Sequence, residues 1–460
     1  MSDLQSDQHD LADNAYTLEL MLVDEISEAV ENNDRARLMQ LIENLHAADI
    51  ADLLEQISSG ERRRFLTLWG DEIDGEVLSE LSEGIREEVI EFLPDDILAE
   101  AVRDLETDDV VDLIEDLEAG QKGILLDALE DADRVAVEQA LTYPEETAGR
   151  LMQRELVMAP THWTVGAAID YLRVEKDLPD QFYDVVIVDP RLRPVGKVPL
   201  GRLMSSQREI ALTKIMEDDF RTIPVLQSQE DVAYAFNQYH MVSAPVVDAD
   251  DRLVGVITID DAMAVLEETN DEDIKRLAGL GDETLADRVI STTRARFPWL
   301  AVNLVTSILA SLVIAQFAGT IEAIVALAVL MPIVASMGGN AGTQSLTVAV
   351  RGIATKDLTG SNMWRVIRRE GLVGLANGLI FAVIIGVVGY VWFGSMMLGL
   401  VLALAMIANL LVAGLAGVLI PIWLDKAGVD PALASGAFVT TVTDIVGFFA
   451  FLGLAAWMLL

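Results

Sequence analysis

The sequence predicts a multidomain fold with four parts: an α-helical superhelix, an α+β module present in two copies, a connecting helix, and a five-span α-helical transmembrane domain. Three observations carry that prediction. Residues 45–141 repeat an apolar pattern every twelve positions, residues 185–257 hold two matched strand pairs, and five apolar stretches follow Phe297. The boundaries fall at 1–143, 144–266, 267–297 and 298–460.

Charge divides the chain the same way. Of 32 Lys and Arg and 74 Asp and Glu, only six of each lie beyond Phe297, so the whole net charge of -42 belongs to residues 1–297. With so few bases, nucleic-acid binding is disfavoured, because phosphate contacts need Lys and Arg. Cations are the natural partners of such a block, although most single carboxylates only solvate a surface. Cysteine is absent, which excludes a disulfide framework and thiolate metal sites. Nothing points to catalysis, and no enzymatic activity is expected. The stretch Met1–Asn14 is polar and has no apolar signal-peptide core, so the acidic block is expected in the cytoplasm.

In the first part, steps of twelve give Leu45, Ile57, Trp69, Leu81, Leu93, Leu105, Leu117, Leu129 and Leu141. Eight residues after each of the first eight come Leu53, Phe65, Val77, Val89, Ala101, Leu113, Leu125 and Val137. A short fixed period with apolar anchors predicts stacked short helices, each burying its face on its neighbours. Segments such as Asp95-Asp96 and Asp108-Asp109 place acids in helix first turns. The expected role is docking.

From about Pro144 the pattern turns to mixed β and α. Val185–Asp189 precedes Pro194–Val198, and a second copy runs Ala244–Asp248 and then Leu253–Ile257, each followed by a helical stretch. This duplication resembles a tandem CBS pair, or Bateman module. In the second copy, Thr258 and Asp261 resemble the pair that holds a nucleotide ribose, which would place ATP at this module; the first copy lacks the matching Asp. The alternative is a sheet and helix cap with an acidic rim. After it, Ile274, Leu277, Leu280, Leu285, Val289 and Ile290 fit an amphipathic connecting helix over 267–297, interrupted near Gly279 and Gly281.

The apolar stretches are Pro298–Ala318, Ala323–Val350, Gly371–Phe393, Leu398–Leu424 and Pro431–Leu460. Each is near or above the ~20 residues that cross the hydrocarbon core as a helix. Arg288, Arg294 and Arg296 precede the first, Arg351–Arg369 lie between the second and third, and Lys426 follows the fourth, whereas the other loops carry no base. The positive-inside bias therefore predicts a multi-pass inner (plasma) membrane protein with a cytoplasmic amino end and a carboxyl end outside.

Within these stretches Asp444 stands alone. The remaining acids, Glu322, Asp357, Glu370, Asp425 and Asp430, read as lying at or beyond the ends of apolar runs. An intramembrane carboxylate is costly, so its default reading is an ion or substrate site; the alternative is a structural Asp bonded between helices. Helical spacing sets Gly436, Ala437, Thr440 and Thr441 beside Asp444. The second stretch, with Pro332 and Gly338-Gly339-Asn340-Ala341-Gly342-Thr343, predicts a helix presenting Asn340 and Thr343 to a cavity. Close packing through small residues is the competing account.

The run Gly338–Ser345, together with Val429–Gly436 and Thr440–Asp444, resembles the MgtE magnesium channel family, and the order of domains is similar throughout. The resemblance implies a homodimer with the pore on its two-fold axis, Asp444 binding hydrated Mg²⁺, and cytoplasmic acids that bind Mg²⁺ to close the pore. The sensor matches are Asp95, Glu230, Asp261 and Glu272. Gly436, Ser228, His240 and Ala264 depart from the family pattern, which bears on selectivity among Mg²⁺ and other divalent cations and on the sensing threshold. Two other classes stand beside this one: a proton-linked divalent-cation carrier with Asp444 as relay, and a nucleotide-sensing membrane receptor.

Overall fold

The computed structural model describes residues 20–460 apart from 71, 72, 104, 116, 118, 177, 180, 282–288, 434 and 435. It divides into two compact units, Met1–Glu267 and Glu268–Leu460.

In the first unit, ten described helices run from Leu20 to Ala140 and share one apolar core. The twelve-residue period is the helix length plus its turn. His46, Ser58, Ser82, Pro94 and Glu130 are helix N-caps, each just after an anchor of the twelve-step series. His46 and Ser58 close capping boxes with Asp49 and Glu61, satisfying amide groups the first turn leaves open. All eight companion positions, Leu53 through Val137, are buried. The period also carries polar cross-links. Arg62 pairs with Glu88, and Arg86 with Asp112, so the same bond recurs two repeats on.

The α+β module forms two three-stranded sheets. In the first, β1 (Met158–Pro160) runs parallel to β2 (Asp184–Val188), which pairs antiparallel with β3 (Pro194–Pro199). In the second, β4 (Ile223–Pro224), β5 (Ser243–Val247) and β6 (Leu253–Thr258) repeat that order, and each copy has its register shift at the matching place. The copies interlock: Gly196 packs on Met216 and Glu217, just ahead of the second copy, and Gly255 packs on Met152 and Gln153, ahead of the first. A Cβ at either glycine would lie 2.7 Å from a methionine sulfur, so the duplicated glycine is required by close approach. The helix Ile259–Leu277 follows β6 and ends two residues before Gly279, whose φ of +74° favours glycine. The predicted anchor Leu285 lies outside the described residues.

In the second unit five helices are long and apolar enough to span a membrane: Val289–Gln316, Ala326–Ala354, Met363–Phe393, Met396–Lys426 and Gly436–Met458. They are called the first to fifth spans. The fourth is the most enclosed, with the second, third and fifth packed on it. Small residues set those distances: Gly414 lies against the Glu370 carbonyl and Gly417 against the Gly342 carbonyl, contacts that any side chain would push apart. The third helix begins at Met363, eight residues before the apolar run that announced it. Glu370 is therefore inside that helix and 7% exposed, not at a run's end as the sequence suggested.

Candidate pore and acidic cluster

Asp444 sits in the middle of the fifth span, half-buried. Among the described residues its carboxylate has no hydrogen-bond or ion-pair partner. The predicted neighbours on that span turn their hydroxyls inward: Thr440 and Thr441 both donate to the Ala437 carbonyl, at 3.1 and 2.6 Å. The second span lies alongside. Thr440 Cγ2 is 3.1 Å from where a Cβ on Gly339 would stand, and Thr343 Oγ1 is 3.7 Å from the same position on Gly436. Thr343, Gly436 and Thr440 thus meet across two adjacent helices, with Asn340 exposed on the second span and Ala437 and Thr441 half-buried on the fifth.

That surface is open in the single chain. Ser336, Asn340, Thr343, Gln344 and Thr347 are all exposed, and their spacing puts them on one stripe of the second span. The Thr343 and Thr347 hydroxyls donate to the Gly339 and Thr343 carbonyls, at 2.9 and 3.0 Å, but a span facing lipid would leave the Asn340 and Gln344 amides in hydrocarbon, which is unfavourable. Water or another protein surface must meet them.

Two polar groups that the sequence did not single out hold this surface from behind. Asn409, fully buried in the fourth span, donates its Nδ2 to the Val334 carbonyl at 2.7 Å. Gly338 and Gly447 both face its amide, which explains a glycine at each position. In the third span Glu370 accepts a hydrogen bond from Ser345 Oγ at 2.9 Å. A single Asn in a long apolar run gives no periodic signal, and Glu370 lay just outside the run.

The second unit also ties the end of the helix Ile259–Leu277 to the span bundle. Leu277 packs with Leu346, Val350, Ala432 and Val439, and Arg351 donates to Asn270 Oδ1 at 2.7 Å. Glu272, a predicted sensor acid, pairs with Arg276. Asp273 is half-buried, and burial, then the neighbouring Asp430, raises its carboxyl pKa.

In the first unit, Asp261 belongs to a dense group of acids with Glu106, Asp108, Asp109, Glu155 and Asp260. Two helix starts meet there: Asp108 and Asp109 lie in the first turn of Thr107–Glu115, Asp260 and Asp261 in the first turn of Ile259–Leu277. Burial, reinforced by the like charges, pushes Glu106 and Asp109 up to about 7 and Asp108 well above the usual carboxylate range. Asp261 rises to about 6 through burial, moderated by Thr258, whose Oγ1 donates to Asp261 Oδ2 at 2.6 Å. Positive helix ends offset part of that repulsion but leave an excess of negative charge. Among the described residues no three His, Asp or Glu side chains are placed to hold a metal ion directly.

The other predicted sensor acids, Asp95 and Glu230, stand exposed in the first turns of Asp95–Ala101 and Gln229–Tyr239. For the ribose reading, Thr258 and Asp261 are bonded to each other, and the cleft beside Thr258 has about 20 Å³, room for one water. A nucleotide needs that cleft to widen.

Five lipid-crossing helices behind an acidic helical domain and a CBS-type module define a multi-pass membrane protein with soluble amino-terminal domains. Three family profiles match the chain: "Divalent cation transporter" over residues 331–454, "MgtE intracellular N domain" over 45–146, and "CBS domain" over 212–268. The magnesium transporter MgtE of Thermus thermophilus is 32% identical over 96% of this chain and 99% of its own length. That of Enterococcus faecalis is 34% identical over 70% of this chain and 71% of its own. A crystal structure of the cytosolic domain of the Mg²⁺ channel MgtE in complex with ATP is 29% identical, covers 53% of this chain and 99% of that one, and has a TM-score of 0.49. The chain belongs to the MgtE family.

Proposed function

We propose that two copies of this chain form a Mg²⁺-selective channel for magnesium uptake, whose pore runs between the second and fifth spans and is closed by Mg²⁺ bound to the cytoplasmic acids. The observation that carries this reading is the open polar stripe Ser336–Thr347 beside the unpartnered Asp444. A two-fold axis along that stripe covers it and brings two Asp444 carboxylates to one ion. Mg²⁺ gives up its water reluctantly, so hydroxyls, amides and a pair of carboxylates around a hydrated ion suit it better than a dry cage. Magnesium transport by the relatives supports the choice of ion. The base-rich loops support an amino end in the cytoplasm and a carboxyl end outside.

Closure follows from the acidic cluster. With little Mg²⁺ inside the cell, the acids around Asp108 and Asp261 repel one another and loosen the first unit. Bound cations offset that repulsion, and the helix Ile259–Leu277, which starts at Asp260-Asp261 and ends on the span bundle, carries the change to the pore.

Flux of Mg²⁺ into proteoliposomes, with lumenal Mg²⁺ on the domain side varied, tests the whole reading. Asp444→Ala should abolish flux and Asp444→Asn should reduce it at least tenfold, both with an intact dimer. Wild-type flux in either variant excludes Asp444 from the pore. Flux that requires a pH gradient favours a proton-linked carrier instead.

A further inference from the structure

The foot of the third span opens on a cleft. Trp364, Arg365 and Arg368, with Leu372 a turn further on, border an open cleft of about 680 Å³ between the third and fourth spans, walled on the other side by Leu411 and Leu415. One end of the cleft is cationic and the rest is apolar. Arg365, Arg368 and the adjacent Arg369 are exposed, and among the described residues none of their guanidinium groups makes an ion pair or a hydrogen bond. Such a group of free charges is unusual in a chain with 74 acids.

We propose that this cleft binds an anionic glycerophospholipid, with its phosphate on Arg365 and Arg368 and an acyl chain along Leu372, Leu411 and Leu415. Length places the arginines at the right depth. The third helix has 31 residues, about 46 Å at 1.5 Å per residue, against a hydrocarbon core of about 30 Å. Its first turns therefore lie at headgroup level, where a Trp such as Trp364, 75% exposed, is favoured. Basic pockets between spans on the cytoplasmic side recognise anionic headgroups by this combination of charge and apolar wall. Arg forks also match phosphate oxygens in pairs. The site does not depend on conduction or on the gate, only on membrane embedding, so binding and flux can fail independently.

The test uses the full chain purified in detergent and titrated with phosphatidylglycerol or phosphatidylcholine, with bound lipid counted by native mass spectrometry. Phosphatidylglycerol should be retained preferentially. Arg365→Gln/Arg368→Gln should weaken its retention roughly thirtyfold, the factor expected for two arginines near a membrane surface. Leu411→Trp, which fills the cleft and leaves the charges, should weaken both lipids. Equal retention of the two lipids by the wild type, or unchanged retention in both variants, overturns the proposal. Displacement by millimolar glycerol phosphate assigns the arginines to a soluble phosphate ester and overturns it as well. Loss of the dimer in Leu411→Trp with lipid retained shows that a second copy covers the cleft, which also overturns the proposal.

Discussion

Arg276 Nη1 lies 2.8 Å from Asp430 Oδ2, although 154 residues separate them. The other arm of the same guanidinium is 2.8 Å from Glu272. Asp430 in turn accepts from the Ala432 amide at 2.8 Å, holding the short turn Pro431–Leu433 that leads into the fifth span. One arginine therefore fastens the end of the helix Ile259–Leu277 to the entrance of the span that carries Asp444.

This link gives a first prediction about coupling. The pair is about one-third exposed on each side, so its contribution to stability is small, at most about 1 kcal/mol. Its geometric effect is larger, because it joins two segments that move together in the proposed closure. Arg276→Gln should leave the melting temperature within a few degrees of wild type and let Mg²⁺ flux persist at high internal Mg²⁺. The exchange Arg276→Asp with Asp430→Arg should restore closure. Unchanged inhibition in Arg276→Gln excludes the link from gating.

The sequence made the repeats legible through their period and the spans through the length of their apolar runs. Leu53 through Val137 recur at fixed spacing and are all buried, and Gly196 and Gly255 mark matching close approaches. Asp444 was legible for a different reason, a charge where the composition forbids one. Contacts between residues far apart were not. Nothing in the local sequence of Glu106 shows that it meets Asp261, nor that Asn409 lies against Gly338 and Gly447, because neither pairing follows a period. Glu272 was picked as a sensor acid, and its pairing with Arg276 has the i, i+4 spacing of a helix, whereas the bond from Arg276 to Asp430 follows no such spacing.

The acidic cluster predicts a pH dependence with a definite sign. Glu106, Asp108, Asp109 and Asp261 all hold their protons more tightly in the folded unit than at the ordinary values of 3.8 to 4.5. As pH rises, the unfolded chain gives up those protons first, so the folded state binds more of them and loses stability. In chelator, the melting temperature of the soluble unit should be highest below about pH 4 with respect to these groups, fall through the values near 6 and 7 reached by Asp261, Glu106 and Asp109, and go on falling until Asp108 also gives up its proton. Millimolar Mg²⁺ should reverse the fall at pH 8 and do little at pH 5, where the acids are protonated. NaCl at equal ionic strength tests simple screening; equal recovery in NaCl would exclude specific cation binding. Asp108→Asn/Asp109→Asn should flatten the profile.

The last prediction concerns the support behind the pore. A Cβ on Gly338 would stand on the Asn409 amide, closer than any van der Waals contact, and one on Gly447 would lie 2.9 Å from Asn409 Nδ2. Asn409 cannot retreat, because its Nδ2 is bonded to the Val334 carbonyl and the side chain is fully buried. Gly338→Ala should therefore destabilise the bundle by about 1–3 kcal/mol, the usual cost of overpacking, seen as a lower melting temperature in detergent. It should also displace Gly339 and Asn340, and so reduce Mg²⁺ flux. Asn409→Ala removes the obstructing amide at the expense of one buried hydrogen bond, about 1 kcal/mol. If the contact is the cause, Gly338→Ala with Asn409→Ala will be more stable than the sum of the two single changes predicts, by more than the ~0.5 kcal/mol within which independent sites add. Strict additivity would instead place the effect of Gly338 in the helix backbone itself, with Asn409 an uninvolved neighbour.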